Sequence, residues 1–583
     1  MADALLLHPA LPLLAGALLA ALVPRRVAGA LLLAAPLVSL AQVLLLRADG
    51  TFAGATYDFY GLQLQLLRAD GLAIAFGVVF ALAAFLAGLY GLTSLTRDER
   101  SAAMAAAGAG LGVVFAGDLI TLLIFWEIKA VVTTLLILGR RTPGARRSAQ
   151  RYFFVHVFGG SALLAGIVWH VTATGSTAFG ALEVSGAAYL MLIGVALSAA
   201  VVPLHTWLPD AYPNASVAGM VFLSAYTTKA AVYALARGFA GFEILLWAGV
   251  IMALYGVTYA MLQDDIRRLL AYHIVSQVGF MVAGVGVGTA AAINGTVAHA
   301  FAHILYKGLL LMGAGALLYA AGRSLGSQLG GLARRLPWVL VLYMVGAVSI
   351  SSVPLFSGFV SKELTISAIS GEGLTLALWL LKIASVGTFL STALKLPYAA
   401  WFGPDRHEQA TGEPTRLRPI PATMYVAMGL TAAINLAIGV YPALLWELLP
   451  HVNQYTPFTS PKLAETLQLL LLTGLGFWLL IHKLGAKPGT MLDLDWLYRV
   501  APWRVATAAS SLAPGRPATQ PTAAPPSRLR QATGLLERVP LVGPSLAGTA
   551  RPPGTPPPAY ATWVLGVVIF GVSMIVLALS LAS

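Results

Sequence analysis

The sequence predicts an all-α polytopic membrane protein, and three features of its composition lead to that prediction. Of its 583 residues, 58% are hydrophobic and only 10% are charged, whereas soluble proteins carry about 25% charged residues. The mean hydropathy is +0.81. Apolar runs of about 20 residues, each long enough to cross a bilayer as a helix, recur along the whole chain. Because helices satisfy their own backbone hydrogen bonds in lipid, a helical bundle is expected.

The apolar runs define sixteen candidate spans, separated by short polar or charged segments. The fourth and fifth spans are separated by little more than Asp118. The first span has no basic residue before it and is followed by Arg25 and Arg26, the reverse of a signal peptide, so a retained helix is expected. The spans lie near residues 4–23, 28–46, 71–95, 101–117, 119–138, 152–172, 185–203, 216–237, 241–262, 272–290, 294–320, 336–360, 374–400, 420–447, 465–482 and 560–581.

The distribution of basic residues predicts the orientation of these spans. Loops after even-numbered spans hold few cations, mainly Arg47, Arg68, Arg237 and Lys462. By the positive-inside rule, the arginine-rich loops after odd-numbered spans are cytoplasmic, and both termini are outside. Those loops hold Arg25, Arg26, Arg97, Arg100, Arg140, Arg141, Arg146, Arg147, Arg151, Arg267, Arg268, Arg323, Arg334, Arg335, Arg406, Arg416 and Arg418.

The composition also excludes several kinds of function. The chain has no cysteine, which excludes disulfides and thiolate-bound iron–sulfur clusters within it. It has neither a complete dinucleotide-binding fingerprint nor a phosphate-binding loop, so no cofactor is expected. The net charge of +13 is explained by cytoplasmic loops, and no nucleic-acid partner is expected.

A short internal echo indicates two related halves. Val202-Pro203-Leu204 closes one span and Val353-Pro354-Leu355 closes another, and each proline is expected to break its helix. His156 and Lys307 precede these prolines by equal separations. Five helices per unit would give successive units opposite orientations, and inverted repeats with broken helices are typical of transporters.

These features predict a division of the chain into five parts. N-terminal helices fill 1–100, and a conducting core with repeats of about 101–237 and 241–400 fills 101–400. C-terminal helices occupy 401–482. Segment 483–559, rich in Pro, Ala and Arg, is expected to be a flexible cytoplasmic linker. The last transmembrane helix lies in 560–583.

Charged side chains inside spans are costly, so each one is a candidate for function. Glu127, in the fifth span, is interpreted as a proton-relay or coupling carboxylate; a structural ion pair or a headgroup-exposed helix end are the alternatives. Lys129 lies two positions on and faces away from Glu127, so it either snorkels or meets another helix. Lys229, deep in the eighth span, would lose its proton readily when desolvated and is a candidate carrier.

Three titratable residues in the eleventh span form a row. His299, His303 and Lys307 are each four residues apart and therefore line one helical face. Such a row along a membrane helix is typical of a proton path. Two histidines at this spacing can also share a metal, but no carboxylate accompanies them on that face, so no metal site is predicted.

The region after Pro354 holds further candidates. Lys362, followed by Glu363, is interpreted as the end group of a channel in unwound backbone, with an interfacial lysine as the alternative. Lys382 adds another buried cation, whereas Lys395 lies near the end of its span and is expected to snorkel. Secondary candidates elsewhere are His156, His205, Asp210 and His273; for Asp210 a helix cap or turn is the alternative.

Four segments resemble the antiporter-like subunits shared by respiratory complex I and Mrp-type cation/proton antiporters. The extended motifs are most similar to the D-type subunit of the Mrp antiporters, and the resemblance covers roughly residues 70–445. The segments are PLHTWLPDAYPNAS at 203–216, TTK at 227–229, AYHIVSQVG at 271–279, and the stretch from Pro354 to Lys362.

The resemblance implies a fourteen-helix core with two inverted five-helix repeats and broken seventh and twelfth helices, so the last two predicted spans are additions. It matches Glu127 to the fifth-helix glutamate, Lys229 to the eighth-helix lysine and Lys362 to the twelfth-helix charged residue. His299, His303 and Lys307 match the relay between them. One position departs: Ser198 stands where the family usually places a seventh-helix lysine that pairs with the glutamate.

The resemblance therefore implies a proton-translocating subunit of a multi-subunit Na⁺(K⁺)/H⁺ antiporter in a bacterial inner membrane, whose partners are the other subunits. The alternative is a proton-pumping subunit of a complex I-type NADH-quinone oxidoreductase or membrane-bound hydrogenase. In either case the chain itself would be a transport subunit without a catalytic cofactor. A third interpretation, supported by Ser198, is a scaffold that has lost transport.

Overall fold

A computed structural model describes residues 8–48, 52–54, 56–59, 61–413, 415–484, 493, 494 and 496. The predicted span at 560–581 and nearly all of the predicted linker lie outside these residues. The helices below belong to one unit, Met1–Tyr57 with Gln63–Leu494. Of the other unit, the structure describes a turn in which the Gly61 N–H donates to the Asp58 side chain.

The first five helices follow the predicted spans closely. They are α1 (Leu11–Leu22), α2 (Arg25–Ala48), α3 (Gly71–Gly91), α4 (Arg97–Phe115) and α5 (Leu119–Leu138). The separation of α4 from α5 is confirmed, because the Asp118 side chain accepts from the backbone at the start of α5 as an N-cap.

Four short strands lie between α2 and α3. They are β1 (Phe52–Ala53), β2 (Thr56–Phe59), β3 (Leu62–Gln65) and β4 (Arg68–Ala69). Strands β1 and β4 pair antiparallel. These strands were not predicted from the sequence, since two to four residues are too few to show an alternating pattern.

The middle of the chain contains long helices and one short helix. After α6 (Pro143–Thr174) and α7 (Gly186–Ser198) comes the one-turn α8 (Trp207–Ala211), continued by a 3₁₀ turn at Tyr212–Asn214. The chain then forms α9 (Gly219–Gly238), α10 (Glu243–Leu262), α11 (Ile266–Val287) and α12 (Ala290–Ala321), followed by a 3₁₀ turn at Gly326–Gln328.

In the rest of the described chain, two successive helices, α13 (Pro337–Ile350) and α14 (Ser357–Gly371), together form one interrupted membrane span. They are followed by α15 (Thr375–Phe389), α16 (Arg406–Thr411), α17 (Ala422–Val440), α18 (Ala443–Trp446) and α19 (Ser460–Leu484). Helix α15 continues as π-helical segments at Leu390–Lys395 and Tyr398–Phe402. Among the described residues, ten helices are long and apolar enough to cross a membrane, and α1, α7 and α13 are shorter apolar helices.

The first break in the helical structure begins before its proline. Helix α7 stops at Ser198, and Ala200 adopts a left-handed conformation with φ 58°. The Ala200 and Val201 N–H groups donate back to the carbonyls of Leu197 and Ala196, which is the Schellman arrangement that closes helix ends. The proline that follows prevents the helix from restarting.

The second break repeats this geometry. Helix α13 stops at Ile350, and Ser352 has φ 58°. The Ser352 and Val353 N–H groups donate to the carbonyls of Ser349 and Val348. The predicted span at 336–360 is therefore two helices, and Lys362 lies within the second, α14.

Helices α11 and α12 form the centre of the unit. In the apolar 18-residue stretch of α11, 94% of the residues are buried. The corresponding fractions are 83% in α12 and 11% in α19. Helices α10 and α11 pack so closely at Gly249 that a Cβ atom there would lie only 2.3 Å from the Ala283 nitrogen. Small residues permit such close helix contacts in membranes.

Candidate functional site

The polar row on α12 lies at the centre of the bundle. His299, His303 and Lys307 are completely buried, and the ring centroids of the two histidines are 6.2 Å apart. The His299 Nδ1 atom lies 3.4 Å from the Ser361 hydroxyl of α14. Within the described part of the chain, both His303 nitrogens and the Lys307 ammonium have no hydrogen-bonding partner.

Lys229 approaches this row from α9. Its ammonium group is buried and donates to the Ser224 carbonyl at 2.8 Å. It is close enough for its charge to act on His299, His303 and Lys307. The eighth-span lysine and the eleventh-span row therefore belong to one electrostatic cluster.

Lys362 approaches the same row from α14. Its ammonium donates to the Ile350 carbonyl at 2.8 Å and to the Ser385 hydroxyl at 3.3 Å. Ile350 is the last residue of α13, where carbonyls without helical partners attract cations. The charge of Lys362 acts on His299 and His303. The break in the twelfth crossing thus creates the acceptor that holds this lysine.

Glu127 and Lys129 of α5 are both buried but have different surroundings. A Cβ atom at Gly160 of α6 would lie 1.6 Å from the Glu127 Oε1 atom, so glycine makes room for the carboxylate. The Lys129 ammonium lies 3.6 Å from the centroid of the Trp126 ring, a cation–π contact. Among the described residues, Glu127 Oε1 and the Lys129 ammonium have no hydrogen-bonding partner.

His156 and Ser198 lie in the same half of the unit. The His156 ring stacks on Tyr152 with centroids 3.9 Å apart and meets Trp207 edge-on at 4.6 Å. The charge of Lys129 acts on His156. Ser198 is the buried last residue of α7.

A hydroxyl bridge that sequence reasoning missed joins the two regions. The Tyr152 hydroxyl lies 2.9 Å from Thr133 Oγ1 of α5 and 3.2 Å from Thr227 Oγ1 of α9. Thr227 precedes Lys229 by two residues. The available signal was the one-turn spacing of Tyr152 and His156, but neutral hydroxyls are common in membrane helices and do not stand out.

Two further candidates lie at the π-helical end of α15: Lys395 belongs to it, and His273 contacts it. His273 of α11 is buried, and its Nε2 atom lies 2.6 Å from the Ser391 hydroxyl. The Lys395 ammonium is also buried and donates to the Gln263 carbonyl at 3.1 Å, and to the Met261 carbonyl as well. Lys395 therefore bonds the C-terminal end of α10, and the expectation that it snorkels is wrong, because those carbonyls provide a nearer acceptor.

Asp210, Lys382 and His205 lie apart from the row on α12. Asp210 of α8 accepts two hydrogen bonds of 2.7 Å from the Arg151 guanidinium, a bidentate ion pair. Lys382 of α15 is only partly buried and forms an ion pair with Glu465 of α19, so the prediction of a buried cation is wrong at this position. His205 is buried in the first break, with its Nε2 atom 3.4 Å from the Asp493 carboxylate.

Asp493, beyond α19, was not predicted as a site residue. It accepts hydrogen bonds from the hydroxyls of Tyr255 and Tyr272. Burial raises the pKa of the Asp493 carboxyl. The nearby His205 ring and the hydrogen bonds from the two tyrosines outweigh that effect and lower this pKa to about 2. In the described residues, no group of three or more His, Cys, Asp or Glu side chains is placed to hold a metal.

Helices broken within a multi-pass membrane bundle and a buried row of titratable groups are both typical of membrane transport proteins. Residues 116–391 match the family model described as NADH:quinone oxidoreductase/Mrp antiporter, TM. The match contains Glu127, Lys229, Lys362 and the α12 row.

Two relatives illustrate the range of the family. The D-type subunit of the Na⁺/H⁺ antiporter of Alkalihalophilus pseudofirmus is 30% identical over 322 residues, which are 51% of this chain and 64% of the relative. Component B of hydrogenase-4 from Escherichia coli is 27% identical over 445 residues, 68% of this chain and 65% of the relative. The chain thus spans less than two thirds of either relative's length.

Solved structures have the same fold. A chain of the Mrp complex from Dietzia sp. DQ12-45-1b aligns with a TM-score of 0.69 and 25% identity, over 76% of this chain and 95% of that one. A chain of respiratory complex I from Thermus thermophilus aligns with a TM-score of 0.65 over 76% of this chain and 99% of that one. At 24% identity, the latter likeness shows the fold alone.

Proposed function

We propose that this chain is the proton-translocating subunit of a multi-subunit Na⁺(K⁺)/H⁺ antiporter. The observation that carries the proposal is the buried cluster in which Lys229, the α12 row and Lys362 act on one another electrostatically. Buried lysines can exchange protons because desolvation brings their charged and neutral forms closer in free energy near neutral pH, and an imidazole ring can accept a proton at one nitrogen and release one at the other. The 30% identity to a D-type antiporter subunit supports the choice of host complex.

Protons would pass from Lys229 to His303 and Lys307 on α12, and then through His299 to Lys362. His299 is 3.4 Å from Ser361, one residue before Lys362. Row atoms without a partner in the described part of the chain can bond to water that enters the row, and such water would carry protons across the remaining gaps.

Glu127 would gate or couple this movement from the other half of the unit. Ser198 stands where the family usually has a lysine, and Lys129 is a cation whose charge does act on Glu127. Lys129 also contacts Trp126 and acts on His156. The Thr133–Tyr152–Thr227 hydroxyls would connect this half to α9. Conduction through the α12 row is therefore supported by more contacts than the coupling step.

A second candidate function is a proton-pumping subunit of a membrane-bound hydrogenase or complex I-type oxidoreductase. One observation favours it: the hydrogenase-4 relative aligns over 68% of this chain, against 51% for the D-type antiporter relative. The proton path would be the same, and only the driving partner would differ.

The test is cation-driven pH change in everted membrane vesicles from cells that make the whole complex. We expect Na⁺ or K⁺ to dissipate a preformed pH gradient, and Lys229→Ala to abolish that response at equal expression. Arg147→Ala, which removes an exposed cation at the start of α6, is the matched control and should respond like the wild type. An unchanged response in Lys229→Ala would overturn the proposed path.

The same vesicles separate the two host complexes. An antiporter dissipates the gradient on addition of the cation. A redox-driven pump instead builds a gradient when NADH or another electron donor is added, and does not respond to the cation. A complex that assembles but responds to neither addition would support the interpretation as a scaffold.

The proposal includes a bacterial inner-membrane location with both termini outside. It assigns 1–100 to N-terminal helices, 101–400 to the conducting core and 401–482 to C-terminal helices. Reporter insertions test the orientation: one after Gly412 should report cytoplasm and one after Gly373 should report the outside. The opposite result would reverse the orientation but leave the path intact.

A further inference from the structure

The added helix α19 contributes charged residues to the region around Lys362. Most of α19 is exposed, but near its start Lys462 and Glu465 turn toward the core. A cavity there is lined by Lys362 and Glu363 of α14, Lys382 and Ser385 of α15, and Glu465 and Thr466 of α19. Lys362, the last group of the proposed proton path, therefore shares a cavity with a helix that lies beyond the matched residues 116–391.

The contacts around this cavity are specific. Lys362 donates to the Ser385 hydroxyl at 3.3 Å. Lys382, three residues before Ser385 on the same helix, forms an ion pair with Glu465. The Lys462 ammonium lies 3.9 Å from the Glu363 carboxylate.

The position of Glu465 in its helix places it near one membrane face. It lies five residues after Ser460, where α19 begins, which corresponds to a depth of about 7–8 Å. Helix α14 ends at Gly371 and α15 begins at Thr375, so these ends lie at one face because the connection is short. The cavity therefore lies between buried Lys362 and that face.

Exposure distinguishes Glu465 from the other charged groups of the cavity. Its side chain is 44% exposed, compared with 19% for Lys382 and 17% for Glu363, and Lys362 is buried. A group that delivers protons to water must reach both water and the buried carrier. Glu465 lines the same cavity as Lys362, is the most exposed of these charged groups and lies in the second turn of α19, so it is the group best placed to pass a proton from the cavity to water.

We propose that Glu465 is the proton port, the residue through which the proposed proton path exchanges protons with water. This inference rests on the proposed function. The Lys362 ammonium gives one proton to the Glu465 carboxylate through the cavity, which leaves a neutral amine and a carboxylic acid. The acid then releases the proton to water and becomes a carboxylate again. Lys382 holds the carboxylate at the mouth of the cavity between transfers.

The experiment compares Glu465→Gln with the wild type in the whole complex, using vesicle pH change across a range of pH. We expect the variant rate to fall about tenfold or more, because relay groups typically contribute at least that much. Glu465→Asp should recover part of the rate. The exposed Glu447→Gln is the matched control and should match the wild type.

A purely structural role for the ion pair is tested by chemical rescue. A small weak acid such as formate should restore the rate of the smaller Glu465→Ala variant, because it supplies the missing proton acceptor. The pH profile should also change, because Glu465 is one of several charged groups at the cavity. Among the described residues the others are Lys362, Glu363, Lys382 and Lys462, and Glu363 also acts on Tyr455. A slow but assembled Glu465→Ala complex without rescue would overturn the proposal.

Assembly failure is addressed with a double variant. If Glu465→Gln does not assemble because Lys382 is left unpaired, Glu465→Gln combined with Lys382→Met removes both charges and should assemble but remain slow. A wild-type rate in an assembled Glu465→Gln or double variant would refute the port. Lys229→Ala is measured in parallel to separate the two proposals. If Lys229→Ala abolishes transport while Glu465→Gln transports at the wild-type rate, the role of Glu465 is refuted and the proposed function stands.

Discussion

Gly160→Ala tests whether the Glu127 carboxylate takes part in transport without changing the glutamate itself. The added Cβ atom would lie 1.6 Å from Glu127 Oε1, and Cβ atoms essentially never lie within 3.0 Å of a non-bonded heavy atom. The atom that must yield is the end of a flexible side chain. The carboxylate will therefore move, while the backbone can stay in place.

The expected cost can be worked out from this geometry. An off-rotamer glutamate costs about 0.5–1.5 kcal/mol, whereas replacing glycine by alanine within a helix gains about 0.5–1 kcal/mol. These terms nearly cancel, so the complex should assemble with almost unchanged thermal stability. Displacement of a coupling carboxylate should nevertheless slow cation-driven proton movement severalfold and alter its pH profile.

The control is the neighbouring Gly159→Ala. Its Cβ atom would lie 3.2 Å from a methyl group of Leu197, so it adds the same methyl group to α6 without touching Glu127. We expect this variant to transport like the wild type. Equal rates and pH profiles for both variants in the vesicle assay would refute a role for the Glu127 carboxylate. A large loss of thermal stability in Gly160→Ala alone would show that the helix backbone moves and would contradict the expectation of almost unchanged stability.

Three other substitutions address separate features. Ser198→Lys restores the usual seventh-helix cation and should change the transport rate or its pH profile; if it changes neither in an assembled complex, the missing pair does not set coupling. Asp210→Asn weakens the bidentate contact to Arg151 and should lower stability by about 1–2 kcal/mol, seen as a lower melting temperature of the purified complex. Ala200→Gly removes a left-handed non-glycine residue and should raise stability by up to about 1 kcal/mol; an unchanged or lower melting temperature would contradict this.

The sequence predicted the helices and the central row because their signals are local. Long apolar runs indicate spans, and the four-residue spacing of His299, His303 and Lys307 indicates one face. The ends of the broken crossings were less accurate. The echo drew attention to Pro203 and Pro354, whereas the helices already end at Schellman turns before the prolines, and no glycine marks the left-handed residues Ala200 and Ser352.

Contacts between residues distant in sequence could not be predicted. The Lys382–Glu465 pair joins α15 to α19, and the Tyr152 hydroxyl bridges α5 and α9 through α6. Neither contact has a periodic signature. The surroundings of Lys395 were misjudged for the same reason, because its acceptors are carbonyls at the end of α10 and every residue has a carbonyl.

If the proposed function is correct, the arrangement of charges along the proton path explains how a proton that enters at one end promotes the release of a proton at the other. Lys229, Lys307 and Lys362 act on shared histidines, and the structure places Glu363 and Glu465 beside the Lys362 end. Two like charges roughly 10 Å apart repel by about 1–2 kcal/mol at an effective dielectric constant of about 20. That is enough to change the occupancy of a neighbouring group by about tenfold. A proton arriving at Lys229 therefore disfavours protons further along, and the carboxylates beside Lys362 provide the place where one can leave.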